Sequence, residues 1–184
     1  TWLPAMQKGE KLGCFGLTEP DFGSNPGGMR TRARKVGHEY VINGEKMWIT
    51  SGTIADVAII WAKVENENDR IRGFLVETDR AGFKADDIHG KWSLRASVTS
   101  GLSLQDVHVP ESARFPVAGG LKYPLGCLTQ ARYGIAWGAL GSLETAGPAD
   151  AGGALQRGAI ADLAVVEPAT EVVASVLALH EFLS

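Results

Sequence analysis

The residues best suited to chemistry lie near the start of the chain, in the stretch Cys14–Ser24, which reads CFGLTEPDFGS. Its first residues can be buried in a strand, and Pro20 removes a backbone donor, so the sequence predicts a strand that ends in a turn. Backbone N–H groups without ladder partners, together with the Thr18 hydroxyl, could hold a flat, acceptor-rich ring there. A strand followed by an ordinary polar turn is the alternative interpretation.

A second candidate is the pair Trp48 and Thr50, which alternate with Ile49 along a predicted strand. Successive side chains of a strand point to opposite faces, so the indole and the hydroxyl would share one face and Ile49 would take the other. Both residues also fill pleated surfaces well, and this alternative stays open. A third candidate is Arg132 in a predicted helix, which could bind a phosphate or form an ion pair on the helix surface.

The remaining polar residues give weaker signals. The 4 histidines share no metal-ligand spacing, so no metal site is predicted. Asp86 and Asp87 are adjacent and would point to opposite faces of a strand, which argues against a cooperating acid pair. The paired glycines lack the strand-turn-helix setting of a dinucleotide fingerprint. Cys14 and Cys127 are far apart, and we expect both to be reduced and buried, as in a reducing compartment.

Composition limits the class of protein. The 184 residues suit one ordinary domain, or one domain and part of another, and 45% hydrophobic residues can build a core. The formal net charge is -3 and no run of Lys and Arg is interleaved with aromatic residues, so neither nucleic acid nor an anionic membrane is an expected partner. No apolar run approaches the ~20 residues of a membrane span, and the first residues do not resemble a signal peptide.

The elements that must position these residues are mostly strands. Short β-prone runs separated by turns dominate residues 11–118 and predict a mainly β domain, an antiparallel sandwich or barrel. The clearest feature is a predicted hairpin, in which segments 39–42 and 45–50 flank a tight turn at Asn43-Gly44. Further strands are predicted over 55–62, which should be central because it is apolar throughout, and over 71–77 and 101–109.

The residue pattern of the sequence changes after Gly119-Gly120. Apolar residues recur there at helical spacing and predict a helix from about Leu125 to about Thr145. The chain therefore divides into residues 1–10, a remnant of a preceding helical domain or a linker, residues 11–118, the β domain, and residues 119–184, a partial helical segment with a divergent end. The expected fold class is α+β, with a β domain followed by α-helices.

Three motifs together resemble those of the acyl-CoA dehydrogenases, and within that family those of the glutaryl-CoA dehydrogenases most closely. The motifs are Gly16–Pro20 (GLTEP), Ser93–Ser97 (SLRAS) and Ala131–Gly138 (ARYGIAWG). The resemblance runs from about Gly13 to about Gly141. It implies that residues 11–118 are the middle domain of such an enzyme and that this domain holds FAD.

The resemblance also implies roles toward the cofactor. Leu17 and Thr18 would contact the pyrimidine edge of the flavin through backbone N–H groups and the Thr18 hydroxyl, because that edge gains negative charge on reduction. Thr50 would hydrogen-bond the ring nitrogen that receives the hydride, and Trp48 would pack beside the ring. The implied cofactor-binding set is Phe15, Gly16, Leu17, Thr18, Gly23, Ser24, Trp48, Ile49 and Thr50.

Roles toward an acyl-CoA substrate follow in the same way. Ser24 would reach the pantetheine part, and Arg132 would point at a phosphate or a carbonyl. The implied substrate-binding set is Ser24, Leu125, Gly126, Cys127, Leu128, Thr129, Gln130, Ala131 and Arg132. Leu125 stands where the glutaryl-CoA dehydrogenase pattern expects an aromatic residue, and Thr129 and Gln130 stand where it expects Asn-like residues.

The implied reaction is oxidation and decarboxylation of glutaryl-CoA to crotonyl-CoA, with electrons passed to an electron-transfer flavoprotein. A carboxylate base must remove the proton beside the thioester carbonyl. In most of the family a Tyr-Glu-Gly-Thr-like segment supplies this base, and the sequence has no such segment. A few relatives place the base one residue before the helix arginine, and that position holds Ala131 here. We therefore expect a fragment that is inactive alone. The resemblance further implies a homo-oligomer, a tetramer, in the bacterial cytoplasm or the mitochondrial matrix. The alternative is a non-catalytic flavin- or CoA-binding or assembly module derived from this family.

Overall fold

A computed structural model describes residues 2–92, 94–116 and 119–146 of the chain. The helices are α1 (Trp2–Gln7) and α2 (Lys122–Ala146). The strands are β1 (Gly13–Gly16), β2 (Arg32–Val36), β3 (Glu39–Thr50), β4 (Val57–Val64), β5 (Arg70–Glu77), β6 (Phe83–Asp87) and β7 (Thr99–Pro110). The predicted β domain followed by a helix is confirmed.

The sheet is mixed, which corrects the predicted antiparallel sandwich or barrel. β4 pairs in parallel with β1 and with β2, and antiparallel with β5. From β2 the sheet continues through β3, β7 and β6, and all of these pairings are antiparallel. Parallel strands require long connections, which exist because the chain passes through β3 before it reaches β4. Short strands read one at a time do not reveal such long-range pairing.

The predicted hairpin around Asn43-Gly44 is wrong, because β3 runs through this dipeptide without a break. The actual turn consists of residues 37–38, and beyond it β2 pairs with the first half of β3. The Asn43 amide bonds to Asp106 instead, donating from Nδ2 to Oδ1 at 3.0 Å and accepting the Asp106 N–H at 2.9 Å. Gly44 has no side chain, and a Cβ there would collide with Thr31. Tertiary contacts therefore replace the local turn.

β4 is the central strand, as its apolar sequence predicts. Its alternate residues enter two hydrophobic clusters on opposite faces of the sheet. Ala58, Ile60, Ala62 and Val64 belong to the inner cluster, together with side chains from β3, β5 and β7. Ile59 and Trp61 belong to the outer cluster, which residues of α1 and α2 cover. A strand buried on both faces has no polar alternation, which explains its continuous apolar sequence.

The predicted C-terminal helix is confirmed as α2. Cys127, Leu128 and Ala131 pack it against the outer cluster. Cys14 lies in the inner cluster, so the sheet separates it from Cys127 and no disulfide joins them. None of the helices in the described ranges is long and apolar enough to cross a membrane. The part of the predicted helical segment within 147–184 lies outside the described residues.

Candidate functional site

A cavity of ≈ 430 Å³ opens at the end of β3. Two of the predicted cofactor residues, Trp48 and Thr50, form part of its wall. The wall is completed by Ile88, His89, Gly90, Lys91, Trp92, Leu94 and Thr99. The cavity thus combines two indoles, two threonine hydroxyls and the Lys91 ammonium group, a set that suits a flat aromatic ligand carrying negative charge.

A β-bulge presents Trp48 to this cavity. Lys46 pairs with Leu102 and Ile49 with Ser100, so Met47 and Trp48 together oppose the single residue Gly101 on β7. Trp48 has φ 62, in the left-handed region that bulky residues rarely occupy, and its side chain is 56% exposed. A bulge bends its strand and redirects a side chain, which is how the indole leaves the regular pleat.

Thr50 lies two residues after Trp48 and is the last residue of β3. It pairs with Thr99 across the sheet and is only 4% exposed, although it contributes to the cavity wall. Between the two cavity residues, Ile49 points into the inner cluster. The indole and the hydroxyl therefore reach one cavity while the intervening side chain is buried, and it is the bulge rather than a regular pleat that directs the indole there.

Most of the remaining lining comes from described residues between β6 and β7, which the sequence analysis did not select. Lys91 Nζ donates hydrogen bonds of 2.6 Å to the Ser97 carbonyl and 2.6 Å to the Thr99 hydroxyl, which fix its ammonium beside the cavity. Trp92 is fully exposed at 101%. The sequence signal that could have identified these residues is their position, because the SLRAS motif follows them directly.

The first candidate stretch adopts the predicted strand and turn. β1 ends at Gly16, and the Phe22 N–H donates to the Glu19 carbonyl at 3.1 Å across the Pro20 turn. The Thr18 carbonyl accepts the Met47 N–H at 2.9 Å, so the end of β1 lies against the bulge. Thr18 itself is not one of the residues that line the cavity.

The predicted side chains around Thr18 have different environments. Phe15 and Leu17 pack into the outer cluster, so any contact they make with a ligand at the cavity must come from backbone groups. Gly16 is buried, and its missing side chain matters because a Cβ there would lie 2.7 Å from Ile60 Cδ1 and 3.4 Å from Lys46 Cγ. Gly23 and Ser24 lie in the exposed loop after the turn.

A buried ion pair lies directly behind this strand end, and the sequence analysis missed it. Lys46 Nζ is 2.9 Å from Glu19 Oε1 and donates to the Leu17 carbonyl at 3.2 Å. The two side chains are 0% and 4% exposed. The carboxylate of Glu19 also accepts the N–H groups of Arg30 and Thr31, at 2.6 and 3.0 Å. No sequence pattern links residues 27 positions apart.

The pKa values of both members of the pair are shifted. Burial lowers the pKa of Lys46 to about 8, although the neighbouring Glu19 carboxylate opposes this shift. Burial alone would raise the pKa of Glu19, but the Lys46 charge and the hydrogen bonds from Arg30 and Thr31 outweigh it, so the pKa is lowered. A carboxylate with a lysine and several donors around it stays charged at neutral pH.

Apart from Ser24, which lies in the exposed loop after the Pro20 turn, the predicted substrate residues occupy the first turns of α2, and none of them lines the cavity. Cys127, Leu128 and Ala131 face the outer cluster. The other members of the set are exposed, and these are Leu125, Gly126, Thr129, Gln130 and Arg132. The Thr129 hydroxyl donates a hydrogen bond of 2.9 Å to the Leu125 carbonyl. Nowhere in the described part of the chain do His, Cys, Asp or Glu residues form a group that could hold a metal ion.

The mixed sheet and its aromatic, cationic cavity define a β domain suited to a flat, charged ligand. The family model described as acyl-CoA dehydrogenase, middle domain, matches residues 14–107. The chain belongs to the acyl-CoA dehydrogenase family. The expected resemblance is thereby confirmed. Members of this family are FAD-dependent oxidoreductases, which confirms the expected enzyme class and cofactor at the level of the family.

Similar proteins come from several branches of this family. The chain is 40% identical over 144 residues to the short/branched chain specific acyl-CoA dehydrogenase of Rattus norvegicus, covering 77% of this chain and 33% of that protein. It is 35% identical over 148 residues to the short-chain specific acyl-CoA dehydrogenase of Homo sapiens, covering 79% and 36%. The chain thus spans about a third of the length of these relatives.

A solved structure matches almost the whole chain. It is the glutaryl-CoA dehydrogenase of Mycobacterium smegmatis in complex with FADH2, at 49% identity and a TM-score of 0.75. The match covers 98% of this chain and 50% of that chain.

Proposed function

We propose that this chain is the flavin-binding part of an FAD-dependent acyl-CoA dehydrogenase that acts on glutaryl-CoA. The observation that carries the proposal is the left-handed Trp48 backbone, which presents a half-exposed indole beside the Thr50 hydroxyl on one cavity wall. Backbone strain persists only where the surrounding structure enforces it, and it is concentrated at ligand sites. Family membership supplies the class of ligand.

The residues at the cavity fit the flavin ring. The volume of ≈ 430 Å³ lies in the range of ligand pockets. In this assignment the Trp48 indole packs beside the ring, the Thr50 hydroxyl donates to its central nitrogen, and the Leu17 and Thr18 N–H groups meet the pyrimidine edge. Lys91 places a positive charge nearby. When bound, the flavin accepts the hydride that leaves the acyl chain.

The remaining residues of the cofactor set would act by shaping the strand end. Phe15 and Ile49 anchor β1 and β3 in the two clusters, and Gly16 allows the close approach of β4 at Ile60. Gly23 and Ser24 are exposed and available to the diphosphate or the pantetheine part.

The acyl-CoA is assigned to the N-terminal half of α2. Leu125, Thr129, Gln130 and Arg132 are exposed and available to the thioester and pantetheine, while the buried residues of the set fix the helix against the sheet. Glutaryl-CoA is supported by the 49% identity to a glutaryl-CoA dehydrogenase. The names of the two mammalian relatives make a short or branched acyl chain the competing substrate.

The proposal extends to the assembled enzyme. Residues 11–118 would be its middle domain, residues 119–184 would begin its C-terminal helical part, and residues 1–10 would end a preceding one. Electrons would pass to an electron-transfer flavoprotein, and the enzyme would be a homo-oligomer, a tetramer. The mitochondrial names of the mammalian relatives and the bacterial relative from Clostridium acetobutylicum support a mitochondrial matrix or bacterial cytoplasmic location.

The first test is a titration of the purified chain with FAD, followed by the visible flavin spectrum and by quenching of flavin fluorescence. We expect saturable binding, and loss of one hydrogen bond in Thr50→Val should weaken it about tenfold. Trp48→Ala should weaken it further, because it removes the packing surface of the ring. Val36→Thr at the exposed end of β2 is the matched control and should bind as the wild type does. Absence of any saturable binding contradicts the proposal.

The second test concerns the substrate. The FAD-loaded chain is mixed with glutaryl-CoA or butyryl-CoA while the flavin absorbance is followed by stopped flow. Glutaryl-CoA should perturb the spectrum at lower concentration than butyryl-CoA, and rapid bleaching should require a carboxylate base from another part of the enzyme. A chain that binds FAD but responds to neither thioester supports the non-catalytic module instead.

A further inference from the structure

We propose that the buried Glu19–Lys46 pair is a positioning device, which fixes the peptide group between Leu17 and Thr18 in the orientation that a flavin requires. The inference rests on the proposed function, because it assigns that peptide group to the cofactor site. Neither charged group is proposed to touch the flavin. Lys46 acts through the Leu17 carbonyl, and Glu19 acts through Lys46.

The hydrogen bonds of Lys46 determine which way the peptide faces. Its ammonium group donates to the Leu17 carbonyl at 3.2 Å from the buried side of the strand end. The carbonyl and the N–H of a trans peptide lie in one plane and point in opposite directions. The hydrogen bond to the Leu17 oxygen therefore directs the Thr18 N–H away from Lys46 and out of the interior.

A second contact holds the next peptide in the same manner. The Thr18 carbonyl accepts the Met47 N–H at 2.9 Å. Two successive carbonyls of the strand end are thus bound by Lys46 and Met47, and the next residue is Trp48 in the bulge. Three consecutive residues of β3 therefore fix both the donor group at Thr18 and the indole on the cavity wall. Their relative position is set by one short segment.

Glu19 keeps the ammonium in place. Its Oε1 accepts hydrogen bonds from Lys46 Nζ at 2.9 Å and from the Thr31 hydroxyl at 2.5 Å, and its Oε2 accepts the Arg30 N–H at 2.6 Å. A carboxylate bonded on both oxygens has little freedom to turn. The lysine stem reaches this point by passing Gly16, where an added Cβ would lie 3.4 Å from Lys46 Cγ.

Stability is a weak explanation for such a pair. Removing two charges from water offsets much of their attraction, and apolar replacements of similar volume are often no less stable. A buried pair with complete hydrogen bonding is better explained by the geometry that it enforces. This distinction can be tested, because a double replacement removes the charges together while a single one leaves an uncompensated charge.

The test compares the wild type with Lys46→Met, Glu19→Gln and the double variant that carries both changes. A second double variant, Lys46→Gln with Glu19→Gln, keeps a polar contact without charge and is measured in parallel. We expect each single change to lower the melting temperature markedly and the double changes to recover most of the loss. Arg32→Met with Asp69→Asn removes an ion pair that is 45% and 46% exposed, and it serves as the matched control.

The first readout needs no flavin. Amide hydrogen exchange of Met47 reports its bond to the Thr18 carbonyl. In a double variant with recovered melting temperature we expect this amide to exchange at least about tenfold faster, while amides of β4 keep their wild-type protection. Unchanged protection of Met47 in a folded double variant overturns the proposal.

The second readout is FAD affinity. The folded double variants should bind FAD at least about tenfold more weakly, the scale of one lost hydrogen bond to a developing charge, and the control pair should bind normally. Wild-type affinity in a folded double variant shows that the pair is only structural. If the wild type itself binds no FAD, the proposed function fails, and the exchange of Met47 still decides whether the pair orients the strand end.

Discussion

β4 and β3 belong to the same sheet and differ in how their residues are held. β4 is regular, and its residues from Ala58 to Ala62 are buried in the two clusters. β3 contains a bulge, a left-handed tryptophan and a buried lysine bonded to a glutamate. The cavity opens at β3, and β4 has no residue in its lining. The regular strand supplies stability, and the irregular one is shaped for a ligand.

This difference follows from what each kind of contact can do. Apolar burial is strong but non-directional, so it holds a strand in a sheet without orienting one chemical group. Hydrogen bonds and bulges are directional, and they orient the Trp48 indole and the Leu17 carbonyl at some loss of regularity. Changes in β4 should therefore alter stability, whereas changes in β3 should alter ligand binding.

The largest effect is expected for Trp61→Ala in β4. The Trp61 ring is fully buried and packs near the rings of Phe15 and Phe115, with centroid distances of 6.2 and 6.3 Å. Removing it should lower the free energy of unfolding by about 3–5 kcal/mol through lost burial and a residual cavity. Urea unfolding followed by circular dichroism measures this. Trp61→Phe should lose less, and equal losses in the two variants would contradict the cavity argument.

A smaller loss of stability is expected for Gly16→Ala, where β1 meets β3. The new Cβ would lie 2.7 Å from Ile60 Cδ1 and 3.3 Å from the Ile59 carbonyl oxygen, so neighbouring groups must move. We expect a loss of about 1–3 kcal/mol, the usual range for overpacking. The control is Gly23→Ala, where open space surrounds the added methyl group. Similar unfolding midpoints for both variants would remove the role given to Gly16.

Trp48→Asn should separate stability from binding. Asparagine tolerates the left-handed region better than tryptophan, so relief of strain should raise the free energy of unfolding by about 1 kcal/mol. The same change removes the indole from the cavity and should abolish saturable FAD binding at micromolar protein. Urea unfolding and the FAD titration are run on one preparation. A destabilised variant would show that the indole is needed for the fold.

The smallest effect is expected in the acid limb of stability. Because the pKa of Glu19 is lowered in the folded protein, its contribution is complete above the ordinary value of 4.5 and is lost as pH falls through the folded pKa. Unfolding free energies measured from pH 6 down to pH 3 should therefore fall less steeply in Glu19→Gln than in the wild type. Parallel curves would mean that Glu19 has the same pKa in both states.

Local patterns predicted a large part of the fold. The apolar run of β4, the strand end before Pro20 and the helical spacing of α2 are all confirmed, because period and turn chemistry act between near neighbours. The predicted Asn43-Gly44 hairpin is wrong because contacts with distant residues outweigh the local preference there. The dipeptide favours a turn in isolation, but Asp106 and Thr31 are distant residues that hold it in an extended strand.

The sequence by itself determined the family and the candidate residues, since motifs such as GLTEP and the alternation of Trp48 with Thr50 are short-range features. Only the tertiary structure decided that β1 and β2 lie parallel to β4, that a bulge turns Trp48 outward, and that Lys46 meets Glu19. Each of these depends on residues that are far apart in the chain. Long-range contacts form when the whole sheet assembles, and no local preference encodes which distant partner a strand or a charge will meet.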